Sequence, residues 1–425
     1  MLKYTLALFI LPLFVFSQVE KKLEALKKAG IPTTLQELED KWYPYIEGEN
    51  AADLYAQAVA LVSQKDLDNF HKLEQQLKNE VALNKTLSQQ LQKSLRELLE
   101  RNSEILALFH KATAVEKCRF PVKLTDGFTA KLPHIYKMRF CITLLTSQII
   151  IQTEDKQTEG ALHTLRDTLV LTKRLAQIPM LICVLMGETM QRMSFLGLEY
   201  LLSHQQLTHA QLDMVKDLLQ KTSPDKNNNK YGFVAEMCTI TGIFSQISEG
   251  NYDEDLFGKL SMKDKAELLY YRMSGKCQQD FNLYVQGIES HLKVYELASL
   301  REMRDATKAI KPLEMSGSKF SAMMAPDFRK FIYVHLENTA RWRAVLTAMA
   351  IEKYRLDHKK LPQNLQALMP KYLQDIAHDS YGQKLHFDKQ KQGYTVYGMG
   401  ENAVPDGGVS IKEGNNLDTA FFVKR

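Results

Sequence analysis

Cysteine is scarce in this chain and scattered: Cys118, Cys141, Cys183, Cys238 and Cys277 are five among 425 residues. They form no Cys-x-x-Cys pair and no Cys/His cluster, which argues against a zinc site. Long apolar runs are missing beyond residue 17, so no later segment has the length to span a bilayer. Gly-x-Ser-x-Gly, His-Glu-x-x-His and a glycine-rich phosphate loop are absent too. With them go the local signatures of the common hydrolases and nucleotide-binding proteins. No fixed period repeats along the chain, which sets aside a consensus helical-repeat family.

What is present describes a folded protein. An apolar share of 45% with 25% charged residues is ordinary for a globular chain, and the length calls for two or more substructures. The net charge of +5 is small but unevenly placed. Residues 301–371 hold fourteen Lys/Arg against seven Asp/Glu, a local +7 that leaves the remainder at −2. Such a region could face anionic lipid headgroups or an acidic polymer. Acids are interspersed throughout it, so a set of solvated helix faces is the simpler reading.

The N-terminal stretch "MLKYTLALFILPLFVFSQ" has Lys3, then an apolar run from Tyr4 to Phe16 interrupted by Pro12. Val15 and Ser17 are placed for a cut ahead of Gln18. The pattern predicts a secretory signal peptide over 1–17 and a periplasmic or extracellular location. A membrane anchor is the alternative, but the run falls short of the roughly 17–25 residues a span needs. In an oxidising compartment Cys118 and Cys277, in polar settings, could pair. Cys141, Cys183 and Cys238 sit in apolar helical stretches and read as small buried hydrophobes.

Helical spacing dominates from residue 18 to about 320. Leu23–Ala29 is a short amphipathic piece. Asn50 suits the N-cap of a helix with Ala51, Leu54, Ala58 and Leu61 on one face. Asp66 to Ala114 reads as one long helix or a hairpin broken near Asn84. After the loop 117–133, helices are expected over 135–153, 158–177, 180–204, 207–221, 230–247, 263–274 and 280–306. A further helix over 328–357 carries Ile332, Leu336, Ala340, Leu346, Met349, Ala350 and Tyr354 along one side. Pro362 suits the first turn of a short helix that Pro370 stops. Then "KLHFD", a turn at Gly393 and "YTVYG" predict a β-hairpin, and "TAFFV" a third strand. The expected fold is mainly α: a multi-helix array over 18–320, then a small α+β module over 328–425.

The order Tyr354-Arg355-Leu356-Asp357, Leu361-Pro362, Asp379-Ser380-Tyr381-Gly382, Gly393-Tyr394-Thr395-Val396-Tyr397-Gly398 and Asp406-Gly407-Gly408 resembles the C-terminal half of the major pseudopilin of type II secretion systems. Ser380 stands where that family has Pro, and its membrane-embedded N-terminal helix is absent before Phe328, so the module is not an assembling pilin. The start "AGIPTTLQELE…ENAADLY" and the loop "CRFP…DG…LPHIYKMR" extend the likeness to a bacterial family of exported, mostly helical proteins. That resemblance implies export and a two-part architecture; it implies no activity. Major pseudopilins hold calcium after the tyrosine-rich strand. The resemblance therefore implies a calcium site from Glu401, Asn402, Asp406 and Asp418, although Asn402 stands where many relatives have an acid. Without calcium, Gly407-Gly408 is a flexible turn.

Other candidate groups have structural explanations close at hand. His335 and Glu337, two apart on a helix, point to different faces. His378-Asp379 and Asp126-Gly127 read as turns. Glu188 and Glu236 in apolar helices could be buried acids with raised pKa, but an exposed helix edge or an Arg partner is the simpler expectation. The sequence thus favours an exported, non-catalytic binding or structural protein of the cell envelope over an exported hydrolase whose site is assembled from separate helices. An envelope protein or anionic surface polymer is the expected partner class, and nucleic acid is not.

Overall fold

A computed structural model describes residues 20–82, 87–251, 258–311, 327–400, 403–408, 411–412, 415–416 and 418–424. The chain is mainly α with a small antiparallel sheet near its C-terminus. The helices are α1 (20–28), α2 (Leu35–Trp42), α3 (Ala51–Leu61), α4 (Gln64–Ala82), α5 (Gln89–Arg101), α6 (Ser103–Ala114), α7 (Pro133–Glu154) and α8 (Thr158–Ala176). There follow α9 (Leu181–His204), α10 (His209–Lys221), α11 (Lys226–Glu249), α12 (Met262–Met273), α13 (Lys276–Val294), α14 (Leu300–Ala309) and α15 (Arg329–His358).

Local chemistry explains where these helices begin. Asn50 accepts the Ala52 N–H and caps α3, as its sequence position predicts. The same side chain donates to Arg119 O and accepts the Arg119 N–H, so one residue starts a helix and pins the 117–133 loop. The buried face of α3 differs from expectation. It is Ala51, Ala52, Tyr55, Ala58 and Val59, because Tyr55 is the anchor, packed on Phe109 and Phe120; Leu61 is 45% exposed. The 66–114 stretch is three helices, divided again at Asn102. The single helix expected over 280–306 is α13 and α14, because Ser299 and Glu302 form a capping box that starts a new helix.

Helices α7, α8 and α9 pack mutually and form the centre of the molecule. One hydrophobic cluster, including Phe70, Phe109, Phe140, Phe233 and Phe328, fills the side built from α2–α7, α11 and α13. A second joins Leu165, Leu198 and Val215 to Val345 and Met349 of α15 and to Tyr394, Val396 and Phe421 of the sheet. The first half of α15 belongs to one cluster and the second half to the other.

The sheet has β1 (His386–Lys389), β2 (Tyr394–Met399) and the late strand "DTAFFV" in the order first, second, last, all antiparallel. Two short strands, β3 (Ile411–Lys412) and β4 (Asn415–Asn416), pair in the intervening loop, and the late strand is β5 (Asp418–Val423). The predicted hairpin and its third strand are therefore formed. Gly393 turns the hairpin at φ 100°, where a Cβ would collide with Val423 O. Tyr394 donates its hydroxyl to Glu352 Oε1 at 2.9 Å, which seats β2 on α15. On the other side, Phe422 N–H and Lys424 N–H donate to Glu199 Oε1 and Ser203 Oγ of α9.

All five cysteines are unpaired. Cys141, Cys183 and Cys238 are buried in apolar surroundings, as expected. The Cys118–Cys277 pairing is not formed, since Cys118 lies by Arg174 and Asp53 while Cys277 lies by Asp280 of α13.

Candidate functional site

A polar cleft of about 260 Å³ lies between α6 and two of the central helices, α7 and α8. Helical spacing builds its walls. His110, Thr113 and Ala114 stand at i, i+3 and i+4 on α6; Gly160, His163, Thr164 and Asp167 stand at i, i+3, i+4 and i+7 on α8. Gln152 of α7 forms the floor and Arg166 reaches the rim.

Asp167 is 5% exposed and its Oδ2 is hydrogen-bonded to His110 Nδ1. That bond orients the imidazole and leaves Nε2 directed to the Gln148 amide nitrogen, 3.5 Å away. Gln148 Oε1 is buried without a partner. Both threonine hydroxyls are committed, Thr113 to Phe109 O and Thr164 to Gln152 Oε1 at 2.9 Å. At Gly160 a Cβ would meet Gln152 Nε2 at 3.0 Å, so the glycine lets the floor amide keep its place. His163 and Arg166 are exposed at the mouth. The cleft thus offers two imidazoles, a guanidinium and an amide, with its single acid bound to His110.

None of this site was picked out from the sequence. Asp167 was the available signal: it interrupts the apolar run "TLRDTLVLT" at a position that periodicity assigns to the interior.

The residues singled out from the sequence fall elsewhere. Glu188 is 5% exposed and meets no Arg; its Oε1 binds His335 Nδ1 at 2.6 Å and accepts from Asn229 Nδ2 at 2.8 Å. This corrects the expectation of an exposed edge or an Arg partner. Beside it Asn338 donates to Gln191, which donates to Thr222 O, a polar zipper between α9, α15 and the end of α10. The adjoining cavity of about 20 Å³ has room for one water, so the cluster locks helices rather than receiving a substrate. Glu337 faces away from His335 and pairs with Arg192 at 3.1 Å. Burial pushes the Glu236 carboxyl up to about 7.

Asp379 is a turn residue, accepting the Tyr381 and Gln383 N–H groups at Oδ1 and the Met399 N–H at Oδ2. Asp126-Gly127 lies in a 3-10 turn with Gly127 at φ 56°. Within 301–371, Arg301 pairs with Asp305, Arg329 with Asp327 and Lys371 with Asp357, acids already counted in the local +7, while Lys353 reaches outside the segment to Asp213. Glu401 and Asn402 lie outside the described residues, as does the side chain of Asp418; Asp406 precedes the turn at Gly407-Gly408. Among the described residues no three His, Cys, Asp or Glu side chains converge as a metal site. Among them, too, no helix is long and apolar enough to cross a membrane.

No protein-family model matches this chain, nor does any curated protein or solved structure.

Proposed function

We propose that this is a non-catalytic binding protein of the cell envelope that takes a small anionic ligand, a carboxylate or phosphate, in the cleft between α6, α7 and α8. One observation carries the reading. The cleft is polar and donor-rich at His163, Arg166 and Gln152, and the one acid in its lining is sequestered by His110. A guanidinium beside an imidazole supplies the planar, charged donors that carboxylate and phosphate oxygens accept. Export rests on the N-terminal apolar run, and the pseudopilin resemblance agrees with it.

Calorimetric titration with inorganic phosphate and with citrate tests the cleft. Arg166→Ala should weaken the bound anion about tenfold or more, the worth of one charge-assisted contact, while the melting temperature stays put because Arg166 is exposed. Failure of both anions to bind the parent protein refutes the proposal. Calcium at Asp406 and its neighbours is a separate proposal drawn from the resemblance alone. A melting temperature indifferent to calcium and chelator removes it.

A second reading has its own observation. Asp167 and His110 form an oriented acid–imidazole pair at a solvent-accessible cleft, the arrangement of a general base that activates water. With both threonine hydroxyls committed, a hydrolase here would use water directly. Hydrolysis of a chromogenic phosphate or carboxylate ester, abolished by His110→Ala, would favour it over simple binding.

A further inference from the structure

Helix α12 buries none of its twelve residues. Met262, Leu269, Tyr270 and Met273 are 83%, 50%, 65% and 63% exposed. At about 100° per residue these four and Ala266 fall within an arc of about 100°, a continuous apolar stripe roughly 18 Å long. Charge is sorted around that stripe. Lys263 and Lys265 flank it on its two sides, and Lys276 lies 5.4 Å from the Tyr270 ring centroid. Asp264 and Glu267 fall on the far half of the helix, Glu267 in an exposed, 3.9 Å pair with Lys263 that headgroups can displace. Asp264 is held there by the capping box with Ser261. The far side is also where α12 is tied down, Tyr271 donating its hydroxyl to Asp280 Oδ2 of α13 at 2.7 Å.

We propose that α12 docks the protein on an anionic lipid surface. The sorting of charge selects that occupant. Lysines beside an apolar stripe can reach anionic headgroups while Met262, Leu269 and Met273 enter the acyl boundary and Tyr270 sits at the interface. Both acids are turned from the plane they would otherwise repel. Lys259 is exposed just ahead of the helix and adds to the same field. Contact of this kind lays the helix flat and crosses nothing, which agrees with the want of a spanning helix among the described residues.

Co-sedimentation with vesicles tests the proposal, using phosphatidylglycerol mixed into phosphatidylcholine against phosphatidylcholine alone. The protein should bind the anionic vesicles, and the interaction should weaken as salt rises. The double variant Leu269→Glu, Met273→Glu should lose binding about tenfold or more with no fall in melting temperature, since neither side chain is buried. Lys263→Gln with Lys265→Gln should reduce binding to anionic vesicles alone. Equal affinity for the two vesicle types, or undiminished binding by the Glu variant, overturns the proposal. So does a parent protein that ignores vesicles yet dimerises through this stripe in sedimentation equilibrium, for then a second copy is the occupant.

Discussion

Glu236 shows how much one carboxyl can owe to its surroundings. Burial holds its pKa at about 7, against a usual 4.5, with Tyr284 as a neighbour that titrates higher still. A carboxyl that binds its proton more tightly folded than unfolded costs nothing while both states are protonated, below about pH 4.5. The cost grows as pH climbs toward 7 and is constant above it. Glu236→Gln should therefore raise the melting temperature at about pH 8, by the equivalent of ~3 kcal/mol, and leave it nearly unchanged at about pH 4. Equal shifts at both would refute the assignment. The cysteines obey the same physics. Burial pushes Cys183, Cys238 and Cys277 up to about 12 and Cys118 up to about 11, so little thiolate exists at neutral pH. Native protein should resist iodoacetamide, and half-buried Cys118 should react first when it does; mass spectrometry of the labelled chain reads the order.

The C-terminal sheet was the most legible element. Alternating Tyr394, Val396 and Gly393 mark a hairpin by period and turn chemistry, both of which act over a few residues. Val396 lies opposite Phe387 and Phe421 with no exposure, so Val396→Asp should cost about 3 kcal/mol or more in a denaturant titration. Other features were hidden because they depend on distant partners. Apolar spacing alone placed Leu54 and Leu61 inside α3; the ring contacts of Tyr55 with Phe109 and Phe120, which turn the helix, join residues more than fifty positions apart. Spacing also ran unbroken through 295–299, where a capping box outweighs it. The His110–Asp167 pair joins α6 to α8 across 57 positions; periodicity marks Asp167 as an interior acid, but nothing local points to His110 as its partner. Glu188 was noticed, but its partner His335 is 147 positions away.

At the scale of the molecule, α15, like α7, α8 and α9, contributes to both hydrophobic clusters, and the strand β5 is bonded both to β2 and to α9. Trp342 of α15 donates its indole N–H to Leu219 O at the end of α10. An isolated fragment of 327–425 would expose Val345, Met349 and Trp342 to water, and it should show no cooperative thermal transition by circular dichroism. A sharp melt from that fragment would mean that the sheet and α15 are self-sufficient. Thirty residues of helix reach about 45 Å, and the turns of α15 around Leu336 to Ala348 sit where both clusters close on it. Their amides can meet solvent deuterium only if the packing on either side is lost together, so they should be among the last to exchange. Those of α12, which buries none of its residues, should be among the first. The protein would then keep time at two rates, its central rod a record of whole-molecule opening and its outlying helix free to come and go within a structure that has not opened at all.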